Sequence, residues 1–143
     1  MKILMVASEA APFAKTGGLA DMVGSLPAAL KSLGHEVAVL LPRYAAVDLK
    51  AARRVYDGLQ PRSFTTSLYL IENRVPFYFL DCPPLFDRPG FYGEGGLDYP
   101  DNHIRFAVLA QAALEFTRRV WRPDILHLHD WQTGLVPAYL RTT

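Results

Sequence analysis

Cysteine is almost missing from these 143 residues: Cys82 is the single one. No internal disulfide can form, and its place before Pro83 and Pro84 lacks the CxxC or basic setting of a reactive thiol. A reducing, cytoplasmic compartment is the expectation. An excess of charge of either sign is missing too. Fifteen Lys and Arg stand against 14 Asp and Glu, a formal net charge of +1, which creates no long-range field for nucleic acid or an anionic membrane. Any anion must therefore be caught by local groups. Long apolar runs are absent as well. The opening MKILMVASEA is interrupted at Ser8 and Glu9, too early for the core of a signal peptide or a membrane span. Repeats, low-complexity tracts and linkers do not occur, so a domain boundary inside the chain is not expected.

What is present is enough for one domain. Half of the residues are apolar, sufficient for one core and marginal for two. Strand and helix signals alternate along the chain. Ile3 to Ala7 is a continuous apolar run, the pattern of a strand covered on both faces. It is followed by Gly17-Gly18 and by a helical pattern in which Leu19, Met22, Val23, Leu26, Leu30 and Leu33 share a face and Gly34 supplies the stop. Pro27 removes one backbone donor from that helix and predicts a bend in it. His35 to Pro42 reads as the second parallel strand of a right-handed βαβ unit. Ser67 to Ile71 and Val75 to Leu80 read as a hairpin around Glu72 to Arg74, an insertion on a parallel scaffold. Asp81 to Asp101 has no periodicity, and a stretch of about 20 such residues is more often functional than idle. Helical spacing returns from Asn102 to Arg119, Asp124 to Asp130 makes a further strand, and GLVPAYL starts a helix. The fold class is α/β, a Rossmann-like doubly wound, mostly parallel sheet.

Two motifs fall at carboxyl ends of strands, AKTGGLAD (residues 14–21) and HLHDWQTGL (residues 127–135). In a doubly wound sheet that is the rim where ligands bind. Lys15, the amides of Gly17 and Gly18, Asp21, His129, Asp130 and Trp131 are thereby expected around one crevice. The glycines let helix amides approach a phosphate that Lys15 neutralises, although KTGGLAD matches neither GxGxxG nor the Walker pattern and two glycines also make a plain tight turn. Asp21 either accepts sugar hydroxyls or offsets the helix dipole. Alternation places His127 and His129 on one face, about 6.5 to 7 Å apart along the strand, which suits a metal. The remaining histidines are His35, at the opposite rim, and His103, so a metal-dependent hydrolase is the weaker alternative. A buried, hydrogen-bonded His127 with His129 and Asp130 at the exposed end is the expected arrangement. Trp121 and Trp131 serve equally as wall residues or stacking platforms.

The stretch MKILMVASEAAPFAKTGGLADMVGSLPAALKSLGHEVAVLLPRY resembles the amino terminus of bacterial glycogen synthases and plant starch synthases, whose hallmark is Lys-x-Gly-Gly-Leu. DRPGFYG, DNHIRFAVLAQAALE and WRPDILHLHDWQTGLVPAYL extend the resemblance over nearly the whole chain. It implies a GT-B glucosyltransferase that moves glucose from ADP-glucose to the non-reducing end of an α-1,4-glucan with retention, without metal or other cofactor. By that resemblance Lys15, Gly17 and Gly18 contact the donor's phosphates and Asp21 assists donor or glucose binding. Tyr92 borders the sugar site, while Asp130, His129 and Trp131 line the cleft, with Asp130 and His129 as the catalytic candidates. The family's second domain, which carries the cations facing the leaving diphosphate, is not represented, so residues 1–143 correspond to part of the N-terminal domain and are expected to be inactive alone. A different expectation is a ligand-free folding or assembly unit that self-associates through an uncovered sheet edge.

Overall fold

The computed structural model describes residues 1–142. In chain order it contains β1 (Lys2–Val6), α1 (Gly18–Ser32), β2 (Glu36–Pro42), β3 (Arg53–Asp57), β4 (Ser67–Asn73) and β5 (Val75–Asp81). These are followed by α2 (Pro83–Phe86), β6 (Gly93–Glu94), β7 (Leu97–Asp98), α3 (Asn102–Arg119), β8 (Ile125–Leu128) and α4 (Val136–Thr142). Six strands form one sheet in the order β3-β4-β5-β2-β1-β8. β8, β1, β2 and β5 run parallel, and β4 is antiparallel to both β5 and β3.

The apolar runs account for the centre of this sheet. Leu4, Met5 and Val6 of β1 and Val39, Leu40 and Leu41 of β2 are fully buried. Consecutive buried residues mean that both faces are covered, and α1 and α3 both pack against β2. α1 ends as its sequence indicates. Gly34 has φ +94, and its amide and that of His35 donate to the carbonyls of Lys31 and Leu30, closing a Schellman motif that needs a residue without Cβ.

Several expectations change. The 67–80 hairpin is not an insertion, because β5 pairs with β2 in parallel through Val39↔Phe77 to Pro42↔Leu80 and so continues the main sheet. β3 was not anticipated. It is an edge strand whose residues are all exposed or half-exposed, so it carries no apolar signal. α1 is one helix through Pro27, as expected, and turns Ala20, Val23 and Pro27 to the core, but Met22 and Leu33, placed on its apolar face, are exposed. The 81–101 segment is not devoid of regular structure: it holds α2 and the β6–β7 pair. An aromatic cluster replaces periodicity there as the organising force, with Tyr44 stacked on Phe91 at 4.4 Å and Phe86 against Phe106.

The chain between β1 and α1 folds back on the helix. Ala11 donates its amide to the carbonyl of Ala20, and Phe13 packs on Phe77 and Phe79 at 5.0 and 5.2 Å. Gly24 permits this approach, since a Cβ there would stand 2.6 Å from the Ala11 carbonyl oxygen. Alanine is the better helix former by about 1 kcal/mol, yet Gly24→Ala is expected to destabilise the protein by about 1–2 kcal/mol through that clash. A urea unfolding midpoint unchanged or raised in Gly24→Ala would contradict this packing.

Candidate functional site

β1 lies between β2 and β8, so the strand order reverses beside it and the crevice opens past Val6 and Leu128. Val6 and Leu128 are direct partners, and the amide of His129 donates to the Val6 carbonyl at 3.1 Å. The 14–21 and 127–135 motifs therefore leave the same rim side by side.

On the first loop, Gly17 precedes α1 and no side chain caps the helix. Space beside both Gly17 and Gly18 is open, and the first amides of a helix carry partial positive charge. Lys15 is not an isolated charge. Its Nζ donates to Oδ1 of Asp21 at 2.8 Å, in a pair whose side chains are 53% and 58% exposed. Such a pair contributes little to stability, about 0–1 kcal/mol, and so is readily opened.

The most closely held group on this rim is Glu9, which sequence reasoning passed over. Its side chain is buried and accepts from the Thr16 amide, the Thr16 hydroxyl and the Tyr92 hydroxyl. Tyr92 has one hydroxyl hydrogen, given to Glu9, so Ser8 is the donor in the 2.7 Å contact between Ser8 Oγ and Tyr92 Oη. Burial first, then the hydrogen bond to Glu9, raises the Tyr92 hydroxyl far above the usual phenol range. Tyr44 donates to the Ser8 carbonyl at 2.8 Å from a buried position. The only sequence signal was a carboxylate interrupting the first apolar run.

Tyr92 also reaches the second loop. Its ring centroid lies 6.2 Å from that of Trp131, which stands edge-on to Phe106 at 5.2 Å. Trp131 is still 58% exposed and forms a half-open aromatic wall. Asp130 is exposed and has φ 63 and ψ −175, a region that non-glycine residues occupy at a cost of about 1–3 kcal/mol. Its Oδ1 accepts the Trp131 amide at 2.7 Å, and Thr133 Oγ1 donates to the His129 carbonyl at 2.9 Å. These bonds hold the bend.

The two histidines exchange their expected places. His129 is the buried one, 5% exposed, with no hydrogen-bond partner on Nε2, whereas His127 is half-buried. The rings lean together to 4.2 Å between centroids. Burial, reinforced by His127, pushes the His129 imidazole down to about 4. Among the described residues no third His, Cys, Asp or Glu joins them in a group that could hold a metal ion.

Arg105 fixes the 81–101 segment that delivers Tyr92. Fully buried, it donates to the carbonyls of Leu85 and Phe91 and to Asn102 Oδ1, and lies over the rings of Tyr99, Phe86 and Phe106. Arg88 grips Asp101 with two bonds of 2.8 and 2.7 Å. Thus all the sequence-derived candidates come to one rim: Lys15, Gly17, Tyr92, His129, Asp130 and Trp131 from loops, Gly18 and Asp21 from the first turn of α1. Two concavities lie elsewhere: a groove of about 840 Å³ beside Val120, Trp121, Leu126 and Leu140, and a pocket of about 240 Å³ between Val37, Tyr78 and Trp121.

A mostly parallel sheet with this switch-point crevice is the Rossmann-like architecture of a GT-B catalytic lobe. Among solved structures it is similar to the catalytic domain of starch synthase IV from Arabidopsis thaliana, bound to ADP and acarbose. The likeness has a TM-score of 0.80 and 32% identity over 97% of this chain and 30% of that one. Residues 2–143 match the family described as the starch synthase catalytic domain, and the chain belongs to that family. Glycogen synthases from Anaeromyxobacter sp. (strain K) and Geotalea uraniireducens (strain Rf4) are 50% and 42% identical to it, each over 99% of this chain. The chain spans 30% and 31% of the length of those relatives.

The His129 shift has a definite sign. The unfolded chain takes up a proton near pH 6.5 and the folded chain only near pH 4, so between these values the unfolded state binds more protons. Its contribution to stability is complete above about pH 6.5 and is lost as pH falls toward 4, by at most about 3 kcal/mol. Urea unfolding from pH 7 to 4 is expected to show this slope and to show less of it in His129→Gln; equal slopes would remove the assignment.

Proposed function

We propose that this chain forms part of the N-terminal domain of a cytoplasmic glycogen synthase. That enzyme transfers glucose from ADP-glucose to the non-reducing end of an α-1,4-glucan with retention. The family membership, the glycogen synthases among the relatives and the ADP and acarbose in the Arabidopsis structure support this reading. The observation that carries it is the meeting of three loops on one rim: the Lys15–Gly18 turn, Tyr92 and the His129–Trp131 bend.

In this reading the diphosphate takes the place of Asp21 on Lys15 and rests against the uncapped amides after Gly17. Asp21, released from its exposed ion pair, accepts sugar hydroxyls. Tyr92 and Trp131 give the sugar an aromatic wall. Asp130 lines the cleft, and the buried imidazole of His129, neutral near pH 7, keeps an unpaired Nε2 for a ligand group that reaches it. Departure of the diphosphate needs several preorganised cations in a closed cleft, and here Lys15 faces the crevice while half exposed to water. The GT-B resemblance assigns the missing cations to a second domain.

Two outcomes follow. ADP titrated into the 143-residue chain should bind about tenfold more weakly to Lys15→Ala, the loss expected for one charge-assisted hydrogen bond; equal affinity would move the anion elsewhere. Radiolabel from ADP-glucose should not enter glycogen with residues 1–143 alone, and incorporation above background would overturn the need for further cations.

A second reading, self-association, rests on a separate observation. Among the described residues β8 has no partner on its outer edge, and Ile125 and Leu140 beside it are 39% and 56% exposed. Light scattering at high concentration is expected to report dimers or larger species; a clean monomer would end this reading.

A further inference from the structure

Glu9 stands at the junction of two loops that the proposed function assigns to different tasks. Thr16 sits between Lys15 and Gly17, on the turn that would hold the donor's phosphates. Tyr92 belongs to the 81–101 segment, 76 residues along the chain, on the wall that would border the sugar. Both end on one carboxylate. Oε1 takes the Thr16 amide, and Oε2 takes the Thr16 hydroxyl at 2.7 Å together with the Tyr92 hydroxyl. Glu9 and Tyr92 are enclosed by their neighbours. Glu9 is 4% exposed, and the Ser8 hydroxyl backs the phenol oxygen. Tyr44 holds the Ser8 carbonyl, and the phenol ring is wedged against Phe91, Phe106 and Trp131. Among the described residues no Lys or Arg forms an ion pair with Glu9: Lys15, nearby in sequence, is engaged by Asp21. A buried carboxylate held by neutral donors alone, with no cation, is costly to keep for stability's sake. Its three donors instead set positions.

We infer that Glu9 is a positioning residue that couples the Lys15–Gly18 turn to Tyr92, so that the phosphate seat and the sugar wall keep one fixed spacing. Because Oε2 is shared, loss of the Tyr92 hydroxyl frees the carboxylate to rotate and loosens Thr16 without touching it. A merely structural glutamate would couple to neither loop in particular. This inference rests on the functional reading only for the tasks of the two loops; the coupling itself stands on the geometry.

Amide hydrogen exchange in the 143-residue chain tests the coupling without catalysis. Glu9→Gln leaves one acceptor oxygen where there were two and should speed exchange of the Thr16 amide about tenfold. Tyr92→Phe, which removes one oxygen and keeps the ring and Glu9, should also speed it, by several-fold. In the Glu9→Gln background the Tyr92→Phe effect should vanish, because the connection is already cut. Thr16 exchange unmoved by Tyr92→Phe, or moved equally in both backgrounds, would overturn the inference.

The complete glucosyltransferase carrying this lobe supplies the second readout. There Glu9→Gln and Tyr92→Phe should each raise KM for ADP-glucose more than they lower kcat, with the double variant no worse than Glu9→Gln. Exchange coupling with an unchanged donor KM would overturn the positioning role. A complete enzyme that transfers no glucose would instead remove the functional reading, and the exchange result would still decide the coupling.

Discussion

The structure depends on β1 being hydrogen-bonded in parallel along both edges. Its main-chain groups are taken up by β2 on one side and β8 on the other, and its side chains from Leu4 to Val6 have no contact with water. An apolar strand in that position is satisfied in its backbone and covered on its faces, which anchors the sheet. Parallel pairing also makes every carboxyl end point one way. The loops after β1 and β8 have no choice but to emerge together, and the crevice is a consequence of strand polarity rather than of loop design.

Apart from His129 Nε2 and Gln132 Oε1, the buried polar groups on this rim are held by partners rather than by solvent. Glu9, Ser8, Thr133 and Arg105 are all buried, and each is placed by bonds to backbone or to a neighbouring loop. Inside a protein such groups are costly when unpaired and specific when paired. Lys15, Asp21, Asp130 and Trp131 differ in kind, being exposed: the first two are weakly paired with each other, Asp130 is held in an unfavourable backbone conformation, and Trp131 leans on Tyr92 and Phe106. The rim thus combines a rigid inner layer with an outer layer free to meet a ligand. Strain at Asp130 is tolerated because the bend is bonded at Trp131 and Thr133.

How much was legible in the chain itself varies by element. β1 and β2 announce themselves because burial on both faces demands continuous apolar residues, and α3 because a long helix demands its period. The Gly34 stop is legible for a backbone reason, since only glycine fits its φ readily. β3 is silent because an edge strand needs no apolar face. The 67–80 hairpin was legible as a hairpin but not as the continuation of the main sheet, because pairing of β5 with β2 joins residues 38 positions apart. His127 and His129 were exchanged in their burial because alternation assigns faces and not depth. Glu9 was invisible in role, as its donors Thr16 and Tyr92 are brought to it by two separate loops.

Sequence alone determined the α/β alternation, the motifs at the strand ends and the resemblance that places the chain in its family, because those features are written in local residue types and spacings. Tertiary structure alone decided that Lys15 meets Asp21, that Tyr92 spans from Glu9 to Trp131, and which histidine is cut off from water. Those are distances across the sheet, set by strand order and by the packing of a segment whose own residues carry no period.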